Sequence, residues 1–130
     1  MPPYETSVDV TTDVPLVTTA ETVVATLGGV STSGPGRRVS LTGEFQITTG
    51  TNTTGLTIRI RRDSLTGALV GEANPVQVEA AAGSTEDHDI EVTDTPTLEI
   101  FNANYVLTVQ QVAASANGSV LRAYLKARCE

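Results

Sequence analysis

The chain has one histidine, His88, and one cysteine, Cys129, and these two residues bound the nucleophilic and metal chemistry open to it. A structural zinc site needs several Cys or His ligands at close spacing, and His88 has no second imidazole or thiolate near it in sequence. The carboxylates beside it, Glu86, Asp87, Asp89 and Glu91, are of the type that ligates Ca²⁺. Alternation along a strand would place Asp87, Asp89 and Glu91 on one flat face, without the loop that a calcium cage requires. A Ser or Cys nucleophile needs a base and an orienting acid, yet no Gly-x-Ser-x-Gly elbow is present and Cys129 sits one residue from the end. Gly34-Pro35-Gly36 lacks the Lys-Ser or Lys-Thr that completes a phosphate loop. Carboxylate pairs are plentiful, but a glycosidase also needs an aromatic-lined cleft, and aromatics make up only 4% of the chain. The expectation is therefore no catalysis, no metal and no cofactor.

Charge narrows the partners. The net charge is −7 and the pI about 4.5, so a nucleic-acid backbone would be repelled. No Lys or Arg lies between Arg62 and Arg122, a stretch holding Asp63, Glu72, Glu79, Glu86, Asp87, Asp89, Glu91, Asp94 and Glu99. This reads as a solvated acidic face. The one basic concentration is Arg59, Arg61 and Arg62, with Arg37 and Arg38 near in sequence. It either pairs internally with Glu44 and Asp63 or docks an acidic surface of a sister subunit or a larger assembly. Asn52-Thr53-Thr54 and Asn117-Gly118-Ser119 match the glycosylation acceptor pattern, which is common by chance. The N-terminus shows no basic and apolar leader, and no apolar run approaches the ~20 residues of a membrane span, so cytosolic synthesis and no membrane partner are expected.

The elements that would position these groups are strands. Residues 1–20 read as an extended N-terminal arm, and residues 21–130 as one domain of short β-branched runs cut by Gly, Pro, Asn and Asp. Val39, Leu41, Phe45 and Ile47 alternate with Ser40, Thr42, Glu44 and Gln46; Leu56, Ile58 and Ile60 alternate with Thr57, Arg59 and Arg61. The Thr/Asn/Gly-rich link between these two runs predicts an antiparallel hairpin with Phe45 against Ile58 and Glu44 opposite Arg59. Short strands are expected near residues 22–27, 68–70, 76–79 and 98–101; the Ala80-Ala81-Ala82 run could nucleate a helical turn, but Gly83 would end it at once. Further strands carry His88, Ile90 and Val92, then Tyr105, Leu107 and Val109, then Leu121, Ala123, Leu125 and Ala127 on one face. About eight to ten strands with no long helix predict an all-β antiparallel jelly-roll sandwich. Folding at 13.6 kDa should bury about two-thirds of the surface, leaving about 6,500 Å² exposed.

Three stretches carry a resemblance. Gly36-Arg37-Arg38-Val39-Ser40-Leu41-Thr42-Gly43, then Leu56-Thr57-Ile58-Arg59-Ile60-Arg61-Arg62 with Leu65-Thr66-Gly67, and Asn104-Tyr105-Val106-Leu107-Thr108-Val109 resemble small jelly-roll proteins of tailed bacteriophage virions. In particular they resemble trimeric capsid decoration, or cement, proteins with a tumour-necrosis-factor-like fold. The resemblance implies a homotrimer on the capsid surface that binds the major capsid protein. In that picture Tyr105, Leu107 and Leu125 line the threefold axis. The arm, through Tyr4, Val8, Val10, Val14 and Leu16, together with Arg59 and Arg61, contacts the capsid. The alternative is a carbohydrate- or receptor-binding jelly roll, such as a fibre tip or lectin-like domain, which would need exposed aromatics in a groove.

Overall fold

The computed structural model describes residues 4–16, 19–48, 55–77, 84–111 and 118–130. Among them every regular element is a strand: β1 (Tyr4–Val10), β2 (Val14–Pro15), β3 (Thr22–Val30), β4 (Val39–Thr48), β5 (Gly55–Arg62), β6 (Leu69–Gln77), β7 (Thr85–Asp94), β8 (Ala103–Gln111) and β9 (Ser119–Cys129). One sheet runs β1-β9-β4-β7, with β2 continuing the β1 side along β9; the other runs β3-β8-β5-β6. All pairings are antiparallel. With the two-residue β2 set aside, this interleaved order is that of a jelly roll, so the expected fold class holds.

Alternation decides which side chains are inside. β4 sends Val39, Leu41, Phe45 and Ile47 inward, and β5 sends Leu56, Ile58 and Ile60 inward from the opposite sheet. Each such side chain contributes roughly 1.5–3 kcal/mol when fully buried. The exposed area is 6513 Å², what a monomer of this mass should show, so no missing face is needed to account for burial.

The predicted hairpin is corrected. β4 pairs with β7 and β9, while β5 pairs with β6 and β8 in the other sheet, so Glu44 lies opposite Asp89 and Tyr124, and Arg59 opposite Glu72 and Thr108. Both strands have the right faces. Their apolar rows line one core from opposite sheets instead of standing side by side. The runs near residues 68–70 and 76–79 belong to one strand, β6, at least through Gln77, and Pro75 is tolerated there because β6 is an edge. Residues 98–101 form no strand, and Leu98 and Phe101 stand in solvent at 76% and 87% exposure. The predicted helical turn at residues 80–82 lies outside the described residues, as do Asn52 and Asn117.

In β9 the inward row is Val120, Ala123, Leu125, Ala127 and Cys129. A register shift against β4 between Gln46 and Ile47 places Leu121 off that row. Cys129 is therefore buried and not frayed. The expected arm is also corrected: β1 pairs residue for residue with β9, from Tyr4 against Cys129 to Val10 against Ala123. Tyr4, Val8, Val10 and Val14 pack on the chain's own core, and Leu16 is buried. The side-chain hydroxyl of Tyr4 donates to the Ser31 carbonyl at 2.7 Å and accepts from the Ser31 N–H. Burial first, and the neighbouring Cys129 thiol after it, push the Tyr4 hydroxyl's pKa upward.

Candidate functional site

Two charged clusters hold the framework, and both absorb residues that sequence reasoning assigned to partners. On the outer face of the β3-β8-β5-β6 sheet, Glu21 reaches over β8 from the start of β3. Its carboxylate accepts from Arg59 Nη1 at 2.9 Å, from Arg61 Nε at 2.7 Å and from the Thr108 hydroxyl at 2.8 Å. Arg59 also donates to Glu72 at 2.8 Å and to Gln110 at 2.6 Å. The side chains of Glu21, Arg59 and Arg61 are only 14–20% exposed. The Arg61 hydrogen bond holds the Glu21 pKa below the usual carboxylate range despite desolvation, and Glu21 in turn raises that of Arg61. Arg59 and Arg61 are thus occupied internally, with Glu21 and Glu72 as partners and not Glu44 or Asp63. They do not form a free basic docking patch.

Inside the sandwich, Arg62 grips Asp94 with two hydrogen bonds, Nε at 2.8 Å and Nη2 at 2.6 Å, and the Tyr105 hydroxyl donates to the same carboxylate at 2.6 Å. Asp94 belongs to β7 and the other two to β5 and β8, so the cluster ties one sheet to the other. Burial, then the Asp94 carboxylate, drive the Tyr105 pKa far upward, and the Asp94 hydrogen bond raises that of Arg62. The signal for this pair was in the pattern: period two carries Ile58 and Ile60 on to Arg62, and Ile90 and Val92 on to Asp94, so two opposite charges arrive on inner faces. Tyr105, Leu107 and Leu125 are each 0% exposed within one subunit. They are core residues, which corrects their expected place on a threefold axis.

His88 accepts or donates one hydrogen bond, Nε2 to Glu86 Oε2 at 2.6 Å, and its ring lies 5.8 Å from that of Phe45. Among the described residues no three His, Cys, Asp or Glu side chains converge as a metal group.

Among the described residues, two surfaces offer a hollow to a partner. The outer face of the β1-β9-β4-β7 sheet holds a depression of about 700 Å³ bordered by Asp9, Glu44, Gln46, Asp89, Arg122 and Tyr124. It is polar and acidic, with Tyr124 its half-buried aromatic. At one end of the sandwich, the loop of residues 95–102 carries the exposed Leu98 and Phe101 beside a hollow of about 480 Å³ that also touches Arg62 and Asp63. Thr32 and Gly36 donate backbone hydrogen bonds to Ile100 and Pro96, pinning this loop to the β3–β4 connection. Asn102 sits there at a φ of 51°. No signal in the sequence separated Leu98 and Phe101 from strand residues.

No protein family's sequence pattern matches the chain, and no curated protein is similar enough to count as a relative. Solved structures do share the fold. A subviral particle of VP2 from infectious bursal disease virus superposes with a TM-score of 0.62 at 11% identity, over 98% of this chain and 32% of that one. T=1 particles derived from infectious bursal virus give 0.62 at 12% identity, over 97% and 31%. The Gx strain of the virus gives 0.60 at 10% identity, over 96% and 32%. This chain spans about a third of the length of those viral chains. The likeness is one of fold.

Proposed function

We propose that the chain is a structural virion protein that decorates and stabilises a bacteriophage capsid as a trimer, made in the host cytoplasm and carried on the capsid surface. The observation that carries the reading is the jelly roll itself, which matches virus-particle structures along nearly the whole of this chain. The charged clusters fit a load-bearing role, because Glu21 and Asp94 each fasten strands together. The loop bearing Leu98 and Phe101 is the surface we assign to subunit or capsid contact: two large apolar side chains in solvent, each more exposed than Leu65 or Leu69, suit association.

The test is to measure the mass of the purified chain by light scattering and then its co-sedimentation with capsids of the virus that encodes it. A trimer that pellets with capsids is expected. A monomer that stays in the supernatant overturns the reading.

Sugar binding in the depression is the second reading, favoured by Tyr124 standing beside Glu44, with Asp89 on the far side of Glu44. Phe45 and Tyr105 are buried and supply no further stacking surface there. Glycan-array binding lost on Tyr124→Ala would establish it in place of the first.

A further inference from the structure

The outer face of the β1-β9-β4-β7 sheet has its charges sorted by strand. β4 lies in the middle, and each of its outward residues has one neighbour on β9 and one on β7. Across Gln46 these are Arg122 and Asp87; across Glu44, Tyr124 and Asp89; across Thr42, Lys126 and Glu91. The donors therefore line β9, with acceptors on β7 about 10 Å away across β4 and, on the other side of β9, Asp9 of β1 at 3.3 Å from Arg122 Nη2. Asp87, Asp89, Glu91 and Arg122 are exposed and Lys126 and Tyr124 half-buried. Glu44 directly opposite Asp89 is a like-charge cross-strand pair, an arrangement that destabilises a sheet by itself.

We infer that this face is self-complementary and that a second copy of the chain stacks on it, about a twofold axis parallel to β4. Rotation about that axis keeps each row at its own height and exchanges the two flanking strands, so β9 of one copy lies over β7 of the other. Arg122, paired with Asp9 of its own chain, then gains Asp87 of the second copy as a further partner, Lys126 meets Glu91, and the Tyr124 hydroxyl meets Asp89, each contact occurring twice. An isologous contact demands such pairing of a patch with itself. Side chains as long as Arg and Lys bridge the roughly 10 Å between stacked sheets. The depression between the rows leaves room for water to mediate part of the contact. Glu44 lies nearest the axis and meets its own counterpart, a repulsive element at the centre of the contact. The contact is a weak one, because exposed ion pairs each contribute little. It goes beyond the virion reading and does not depend on it: a twofold contact can join free subunits or neighbouring trimers.

The experiment is sedimentation equilibrium of the full chain at up to about 1 mM, a range in which weak association registers. Salt is set near 0.1 M, where a screening length of about 10 Å suppresses whole-molecule repulsion more than close contacts. The wild type should approach twice the mass of its dilute species. Glu91→Lys moves the net charge from −7 to −5 and would favour association if bulk charge ruled. Here it should weaken the doubling by about tenfold, because two attractions become repulsions. Lys126→Glu should do the same, and the double exchange, at the original net charge, should restore it. Glu44→Gln should strengthen it, whereas Glu99→Gln, with the same charge change on the loop of residues 95–102, should not. No doubling in the wild type, a double exchange as weak as the single variants, or Glu91→Lys associating better than wild type would each overturn the inference. Failure here leaves capsid co-sedimentation unaffected, so the two ideas fall separately.

Discussion

Tyr105 crosses the interior from β8 to reach a carboxylate on the other sheet, and its hydroxyl shares Asp94 with a two-pronged Arg62. Removing that hydroxyl while keeping the ring isolates the hydrogen bond from the packing. Tyr105→Phe should lower unfolding free energy by about 1–3 kcal/mol in urea titration, the cost of weakening a buried bond to a charged acceptor. Asp94→Asn should cost more, since it leaves the Arg62 guanidinium without its counter-charge. Glu21 offers a pH test. Its folded pKa lies below the unfolded one, so its contribution is complete above the ordinary glutamate range, near pH 4, and is lost as pH falls through the lower folded value. Thermal melts of Glu21→Gln should be less stable than wild type at neutral pH by an amount that shrinks on acidification below about pH 4. An unchanged gap would mean that Glu21 does not act through its charge.

At the scale of elements, the sheets are held close enough that small residues matter. A Cβ on Gly71 of β6 would sit 2.1 Å from Val92 Cγ1 of β7, so Gly71→Ala should destabilise by about 1–3 kcal/mol as an overpacked contact. Adding Val92→Ala should recover part of that loss, a coupling readable from a double-mutant cycle of unfolding free energies. This scale is also where sequence reading reached its limit. Period two identified the inner rows of β4, β5, β7 and β8, because burying one face imposes that period whatever lies beside the strand. It did not identify neighbours: Ile47 and Leu56 line one core from opposite sheets, and the same alternation suits a hairpin equally well. Nor did it place Tyr4–Val10, whose half-covered row of Thr, Val and Tyr reads like a solvated arm until β9 is seen alongside. Leu121 failed for another reason, since a register shift between two ladder pairs leaves no trace in composition.

For the whole molecule, the residues expected to contact partners are engaged within the chain. Arg59 and Arg61 bind Glu21, Leu107 and Leu125 fill the core, and among the described residues the exposed large apolar side chains are Leu65, Leu69, Leu98 and Phe101. Leu98→Ser with Phe101→Ser should leave the melting temperature nearly unchanged, as surface substitutions usually stay within about 0.5 kcal/mol, while abolishing capsid co-sedimentation. Loss of stability instead would assign this loop to the fold and not to a partner. The most direct measurement of the proposed virion role is cryo-electron microscopy of virions that carry the chain. Jelly-roll density in groups of three on the outer capsid surface, approached through the loop of residues 95–102, is the predicted result. A capsid surface bare of this density in virions known to contain the intact chain would contradict it.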